Sequence, residues 1–274
     1  MEKADAKCIL CGSTERTILI SHGGWTVHKC KNCGLGLLDP RPDHSERIQL
    51  YQNSYFQSHY DKGLPVDSPE MKRRLSQETH RLKFFRDIKR GGRVLDIGCG
   101  MGYFLHACRL AGYEVEGVDI SDHSTAYVRN ELRIPITTGT IEKIRIEDGS
   151  RDVVTMWHFL EHAQDPGQYI DKAGQWLKAD GILIVDVPNH EGTDARKIGA
   201  SWTGWSLPYH LYHFTPATMM SLLSRYGFRP IRTKSYHSEY VKEKLRGIPL
   251  AGLLARPIAT LFSGHSFAVV ARRT

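Results

Sequence analysis

The chain has 274 residues, of which 41% are hydrophobic and 24% charged, which excludes a disordered or collagen-like protein. Lysine and arginine outnumber acidic residues by 37 to 30, a net charge of +7 at pH 7. That excess is compatible with a phosphate-bearing partner, but it is spread along the chain with no long basic run.

The first predicted unit is a metal module. CILCG (Cys8, Cys11) and CKNCG (Cys30, Cys33) are two CxxC pairs, each followed by glycine. A two-residue gap lets both thiolates of a pair face one ion, and the glycine tolerates the turn that aims backbone N–H groups at sulfur. Two such knuckles complete a tetrahedral four-cysteine zinc site with no open position, so the zinc is expected to be structural. TILIS and WTVHKC, around the turn HGG, read as ribbon strands. A zinc-ribbon domain is expected over residues 1–45.

Residues 46–90 read as a helical connector. Its aromatic run, Tyr51, Tyr55, Phe56 and Tyr60, fits either packing against the larger domain or a lid. A helix follows, with Ser68 as cap, Pro69 in the first turn, Met71, Leu75, Leu82 and Phe85 at helical spacing, and Gly91–Gly92 as its end. Its basic residues read as a solvated face.

The stretch RVLDIGCGMGYFLHACRLAGYEVEGVDIS carries the most information. Arg93–Ile97 is a buried-type strand, Gly98, Gly100 and Gly102 form a GxGxG turn, Tyr103–Leu110 is a helix, and 114–120 is a second strand containing Asp119. This is a βαβ unit with an acidic residue placed for ribose hydroxyls. Tyr103 stands where a dinucleotide fingerprint needs its third glycine, and no P-loop pattern occurs. Asp96, just before the first glycine, would repel a pyrophosphate but suits a cation. The charge logic favours S-adenosylmethionine over NAD.

VLDIGCGMG and GVDIS resemble the first two motifs of class I S-adenosylmethionine-dependent methyltransferases, over about residues 91–190. The resemblance implies an α/β, Rossmann-like seven-stranded sheet, mostly parallel with the last strand antiparallel, over residues 91–274. It implies a cofactor site made by Asp96, Gly98, Cys99, Gly100, Gly102, Tyr103, Asp119, Ile120, Thr140, Ile141, Trp157 and His158. In the family Thr140 and Ile141 would meet the adenine, with Ile120 on its other side. Trp157 and His158 follow the fourth strand, at the carboxyl end where open α/β sheets bind ligands.

HFLEH places His158, Glu161 and His162 at i, i+3 and i+4. It is similar to the ExxEH run that ubiquinone-biosynthesis O-methyltransferases associate with a divalent cation, with His158 in place of the first Glu. A second divalent cation at Glu161/His162 is one reading; structural hydrogen bonds, with His158 lining the cofactor pocket, are the other. Further on, Thr215 and Pro216 begin a helix, and GFRPIRTKSY and SFAVVARRT read as the last two strands. Methyl transfer often needs a base. The expected base is His210, in the loop SLPYHLYHFTP, ahead of His158, His162, Tyr209 and His213, with Tyr209, Tyr212 and Trp205 as acceptor walls. The apolar segment 240–262, interrupted by Arg256 and Pro257, reads either as a buried helical pair or as a surface-lying membrane contact. With no apolar leader in MEKADAKC, the expected location is cytoplasmic, with membrane association open.

The expected function is methylation of a small-molecule or glycan acceptor: a sugar, sugar-nucleotide, lipid-linked saccharide or other metabolite. The resemblance fits a group with N-terminal zinc ribbons that includes sugar methyltransferases. The alternative is an RNA base methyltransferase with a four-cysteine module. Against it stand the missing basic patch and the SRDVVTMWHFLEH sequence where a base-methylation motif would lie. A non-enzymatic zinc-ribbon adaptor is disfavoured by the intact cofactor motifs.

Overall fold

The computed structural model describes residues 7–43, 46, 63–141, 144–248 and 251–274. The connector aromatics Tyr51, Tyr55, Phe56 and Tyr60 lie outside them. Runs such as VLDI, DVVTMW and GILIVDVP are apolar without alternation, as strands covered on both faces must be. They become the centre of a seven-stranded sheet: β4 (Arg93–Ile97), β5 (Glu114–Asp119), β6 (Ile136–Thr138), β7 (Arg151–Trp157), β8 (Leu177–Pro188), β10 (Phe228–His237) and β11 (Ser263–Arg273). The spatial order is β10-β11-β8-β7-β4-β5-β6. The core strands pair in parallel. Only β11 runs antiparallel, to both β8 and β10. Chain order reverses between β4 and β7, which makes their carboxyl ends the switch point where such sheets bind ligands.

Helices α1 (Pro69–Leu82), α2 (Tyr103–Leu110), α3 (Asp122–Asn130), α4 (Pro166–Trp176), α5 (Thr193–Ile198), α6 (Pro216–Arg225), α7 (Glu239–Arg246) and α8 (Ala255–Ala259) connect and flank the strands. The capping signals hold: Ser68 Oγ accepts from Met71 N at 3.0 Å, and Thr215 and Thr218 form a reciprocal box at the start of α6. The helix expected to run to Gly91 ends at Leu82 and gives way to turns. Its apolar spacing still holds there, because Phe84 and Phe85 are buried from the turn.

The N-terminal ribbon is β1 (Arg16–His22), β2 (Trp25–Cys30) and β3 (Gly36–Leu38), all antiparallel. A fourth strand closes it from far along the chain: β9 (Tyr212–His213) pairs with β3, Gly36 opposite His213 and Leu37 opposite Tyr212. Gly36 permits the approach, since a Cβ there would meet His213 Cβ at 2.7 Å. The stretch read as a loop, PYHLYHF, is thus partly a strand of the ribbon's sheet.

Segment 240–262 is only partly buried, through Ala255 and Ala259 of α8. Helix α7 buries no residue, and Leu253, Leu254, Leu261 and Phe262 are 85%, 57%, 81% and 42% exposed. Among the described residues no helix is long and apolar enough to cross a membrane.

Candidate active site

At the carboxyl end of β4 the chain must turn sharply into α2. Gly98 does so at φ 72°, and a Cβ there would meet Phe159 at 2.3 Å, so glycine is required twice over. From β5, buried Asp119 reaches across: its Oδ2 accepts from Gly100 N at 2.8 Å and its Oδ1 from Ser121 N at 2.9 Å. Burial raises its pKa. Ile120 is 62% exposed beside it, an apolar face that an aromatic base could cover. Asp96 lies beneath the loop, 3% exposed, with Thr155 Oγ1 donating to Oδ1 at 2.6 Å. Burial pushes its pKa up to about 7.

At the neighbouring end of β7, His158 adopts a left-handed backbone, φ 50°. Its ring lies between two carboxylates. Nε2 is 3.4 Å from Asp186 Oδ1 and Nδ1 is 3.4 Å from Glu161 Oε1. The imidazole side chain is 38% exposed, whereas the two carboxylate side chains are 1–2% exposed. Burial lowers the pKa of His158, but Asp186 and Glu161 outweigh it and hold the ring above the usual imidazole value. Asp186 is itself held by Tyr236 Oη at 2.7 Å.

A profile of the methyltransferase-domain family matches residues 69–233, more than half of the chain. The chain belongs to that family. The seven-stranded sheet is the class I methyltransferase fold. A solved S-adenosylmethionine-dependent methyltransferase from Archaeoglobus fulgidus is 23% identical, with a TM-score of 0.56 over 73% of this chain and 94% of that one. A Burkholderia thailandensis 1,6-didemethyltoxoflavin-N1-methyltransferase, solved with 1,6-didemethyltoxoflavin and S-adenosylhomocysteine, is 17% identical, with a TM-score of 0.53 over 95% and 99%. Among curated relatives, a ubiquinone biosynthesis O-methyltransferase of Haemophilus ducreyi is 29% identical over 56% of this chain and 72% of its own length. A probable S-adenosylmethionine-dependent methyltransferase of Mycolicibacterium smegmatis is 28% identical; the match spans 50% of this chain and about half, 52%, of that relative.

In this methyltransferase the HFLEH segment is not one helical face. Only Leu160–His162 forms a short 3-10 turn, yet the left-handed His158 still brings its ring to Glu161. The loop after β8 closes on the same place. His210 Nε2 stands 4.0 Å from Glu161 Oε1 and its Nδ1 lies 3.0 Å from the Gly204 carbonyl. His162 Nδ1 lies 3.2 Å from the Tyr209 carbonyl, and Leu211 N donates to Glu161 O at 2.8 Å. Donor atoms of Glu161, His162 and His210 all lie within 4.8 Å of one another. Both Glu161 oxygens are buried without a hydrogen-bond partner, so the group needs a neighbouring positive charge.

The expected residues do not all meet the pocket. His210 is 7% exposed, and burial pushes its pKa well below the usual value. Tyr212 and Trp205 are 1% and 5% exposed; Tyr212 Oη donates to Gln164 O and Trp205 Nε1 to Gly199 O. His213 is buried behind His210, its ring centre 6.2 Å away. Trp157 is 6% exposed, packed edge-on between Phe84 and Phe104. Ile141 is buried, Thr140 is half-buried, and Tyr103 Oη accepts from Leu64 N at 3.1 Å. Cys99 is a half-buried thiol in the turn; burial drives its pKa up.

Four functional neighbours escaped the sequence reading: Asp186, Tyr236, Glu78 and Arg81. Asp186 had a signal, a lone acid inside GILIVDVP, where burial is costly without a partner. Glu78 had one too, seven residues after Met71 on the apolar face of α1. It pairs with Arg74 at 2.6 Å and Arg81 at 2.8 Å. Arg81 lies over the Trp157 ring at 4.9 Å; burial raises the Asp96 and Asp186 pKa values, and the Arg81 charge offsets part of that rise. The basic face of α1 is therefore not wholly solvated.

Cys8, Cys11, Cys30 and Cys33 form one cluster, with sulfur contacts of 3.5 Å between Cys8 and Cys33 and between Cys11 and Cys30. Thiolates at about 2.3 Å from a tetrahedral zinc sit roughly 3.8 Å apart, so the cluster fits that ion. Burial drives the Cys8 and Cys33 thiols up. At Cys11 burial is outweighed by hydrogen bonds from Ser13 and Asn32, which bring it to about 7.

Proposed function

We propose that the protein transfers the methyl group of S-adenosylmethionine to a small-molecule or glycan acceptor, with a structural zinc in its N-terminal ribbon. The observation that carries this is the pairing of two features at the switch point. A glycine turn with a buried Asp119 behind it lies beside a half-exposed His158 set between two buried carboxylates.

Gly98, Gly100 and Gly102 would let the backbone approach the cofactor, Asp119 would take its ribose, and Ile120 would cover its adenine. The cofactor supplies an electrophilic methyl on a sulfonium. The acceptor's nucleophile would receive that methyl, with S-adenosylhomocysteine as the co-product. His158 takes the acceptor's proton, and the carboxylates of Glu161 and Asp186 stabilise the imidazolium. His210, buried and anchored on Gly204, positions Glu161 from behind. The relatives' names, a ubiquinone biosynthesis O-methyltransferase and a 1,6-didemethyltoxoflavin-N1-methyltransferase, point to small-molecule chemistry, which supports the acceptor class.

Asp96 gives a test at the binding step. Its pKa of about 7 means that ionising it for a cation costs more at low pH. A sulfonium ligand favours the ionised form, so S-adenosylmethionine should bind roughly tenfold tighter at pH 8 than at pH 6. Neutral-sulfur S-adenosylhomocysteine should show a much smaller change. Calorimetry with both ligands checks it; no binding of either ligand would end the methyltransferase reading.

The convergence of Glu161, His162 and His210 favours a second reading of that trio, as ligands of a divalent cation. They would hold it, and it would supply charge to neutralise Glu161 and an acidic centre for the acceptor. Turnover abolished by a chelator that leaves the ribbon zinc in place, and restored by Mg²⁺ or Mn²⁺, is the expected result on that reading. Full activity after such stripping discards it.

A further inference from the structure

At the end of β10 lies a cavity of about 700 Å³ that the mechanism does not use. Gln77 on α1, His237 at the end of β10, Lys242 and Arg246 on α7, and Leu253 and Arg256 beyond it line its wall. The three cations are incompletely neutralised. Arg246 pairs with Glu243 at 2.7 Å, but both side chains are about 60% exposed and the pair is screened by water. Lys242 and His237 share one carboxylate, that of Glu239. Arg256 has no ion pair among the described residues. The cavity therefore carries surplus positive charge inside a concave wall, where an anion is held more strongly than on an open surface.

Its place in the fold matters as much as its charge. His237 directly follows Tyr236, whose hydroxyl holds Asp186, and Gln77 directly precedes Glu78, the partner of Arg81. His237 ends β10, which runs in the same sense as the parallel strands, so this wall stands at their carboxyl ends, the end that carries His158. Leu253 stands exposed at the rim of this wall, and Leu254, Leu261 and Phe262 of the same segment are exposed as well.

We propose that this cavity holds the phosphate or diphosphate group of the methyl acceptor. The inference rests on the methyltransferase reading above, and it narrows the acceptor to a phosphorylated or diphosphate-linked molecule. Arg256 and Lys242 would grip the anion, while the remainder of the acceptor reaches toward His158. The same chemistry can come from a soluble nucleotide or from a lipid-linked diphosphate. The leucine rim would serve the second source and stand idle with the first.

The test uses the full zinc-loaded chain and inorganic pyrophosphate as probe, read by calorimetry. Pyrophosphate should bind, bind less tightly at about 0.5 M salt, and lose roughly tenfold or more in affinity in Arg256→Gln and Lys242→Gln. S-adenosylmethionine affinity should be unchanged in both variants, which also certifies their folding. Absence of pyrophosphate binding, or binding that both substitutions leave intact, overturns the proposal. A loss of S-adenosylmethionine binding by the unmodified protein would instead overturn the methyltransferase reading. Vesicles of phosphatidylcholine with about one-fifth phosphatidylglycerol separate the sources. If the protein binds them and Leu253→Ser with Leu261→Ser releases it while pyrophosphate still binds, the lipid-linked source holds. Pyrophosphate binding without vesicle binding assigns the soluble one.

Discussion

Replacing His158 with alanine should lower kcat by about 10²- to 10⁴-fold while leaving S-adenosylmethionine affinity within a few-fold, the range set by losing a positioned general base. His158 is the imidazole of the cluster that combines partial exposure with a carboxylate on each side. His210 is buried, anchored by one nitrogen, and pushed toward the neutral form by burial and neighbouring imidazoles. Asp186→Asn should also cost activity, because Asp186 holds the ring and stabilises its charge, but less than His158→Ala. It acts on His158 rather than on the acceptor, so its loss should appear in kcat and not in cofactor affinity. If His210→Ala proves the more damaging imidazole substitution, the base is His210, as the loop's composition alone would suggest.

Stripping the zinc proposed for the ribbon, or replacing Cys30 with serine, should produce the second large effect. The Tm is expected to fall by roughly 10 °C, the shift that ~3 kcal/mol brings at this chain length, and kcat should fall about tenfold with it. The link is β9. Its strand pairing to β3, and Leu38 N donating to Leu211 O at 3.0 Å, hold the ribbon against the loop that carries His210. That loop in turn holds the Glu161 backbone through Leu211 N and carries Tyr212, which anchors Gln164. Arg41 Nη1 adds a bond to the Tyr212 hydroxyl at 3.0 Å. A zinc ion far from the chemistry should therefore influence it through backbone pairing. Zinc release that leaves both Tm and kcat unchanged would refute this coupling.

Much of the fold was legible because its signals are local. The glycine turn, the caps of α1 and α6, and the unbroken apolar strands each depend on a few neighbouring residues. The CxxC knuckles are as local, and the four sulfurs do meet. The candidate site was legible only in part. His158, Glu161 and His162 announced themselves by spacing, but their geometry comes from a left-handed residue that helical periodicity does not foresee. Asp186 and Tyr236 sit on different strands, 50 positions apart, so no window contains both. The burial of Tyr212 follows from the pairing of β9 with β3 and from Arg41 over its ring, a contact across 171 positions of the chain. For segment 240–262 the sequence left a buried pair and an exposed surface both open, because apolar composition says that a surface wants covering, not that the same chain covers it.

The shared strand also bears on what could be cut away. A chain shortened to begin after the ribbon would keep all seven strands of the large sheet and every residue of the glycine turn. It would also release β9 from its partner, freeing the backbone edge of Tyr212 and His213 that pairs with Leu37 and Gly36 and removing Arg41 from the Tyr212 ring. Such a fragment trades a folded edge for an adhesive one. The ribbon and the large sheet are thus one inheritance: neither can be exchanged between related enzymes without carrying the other half of the seam.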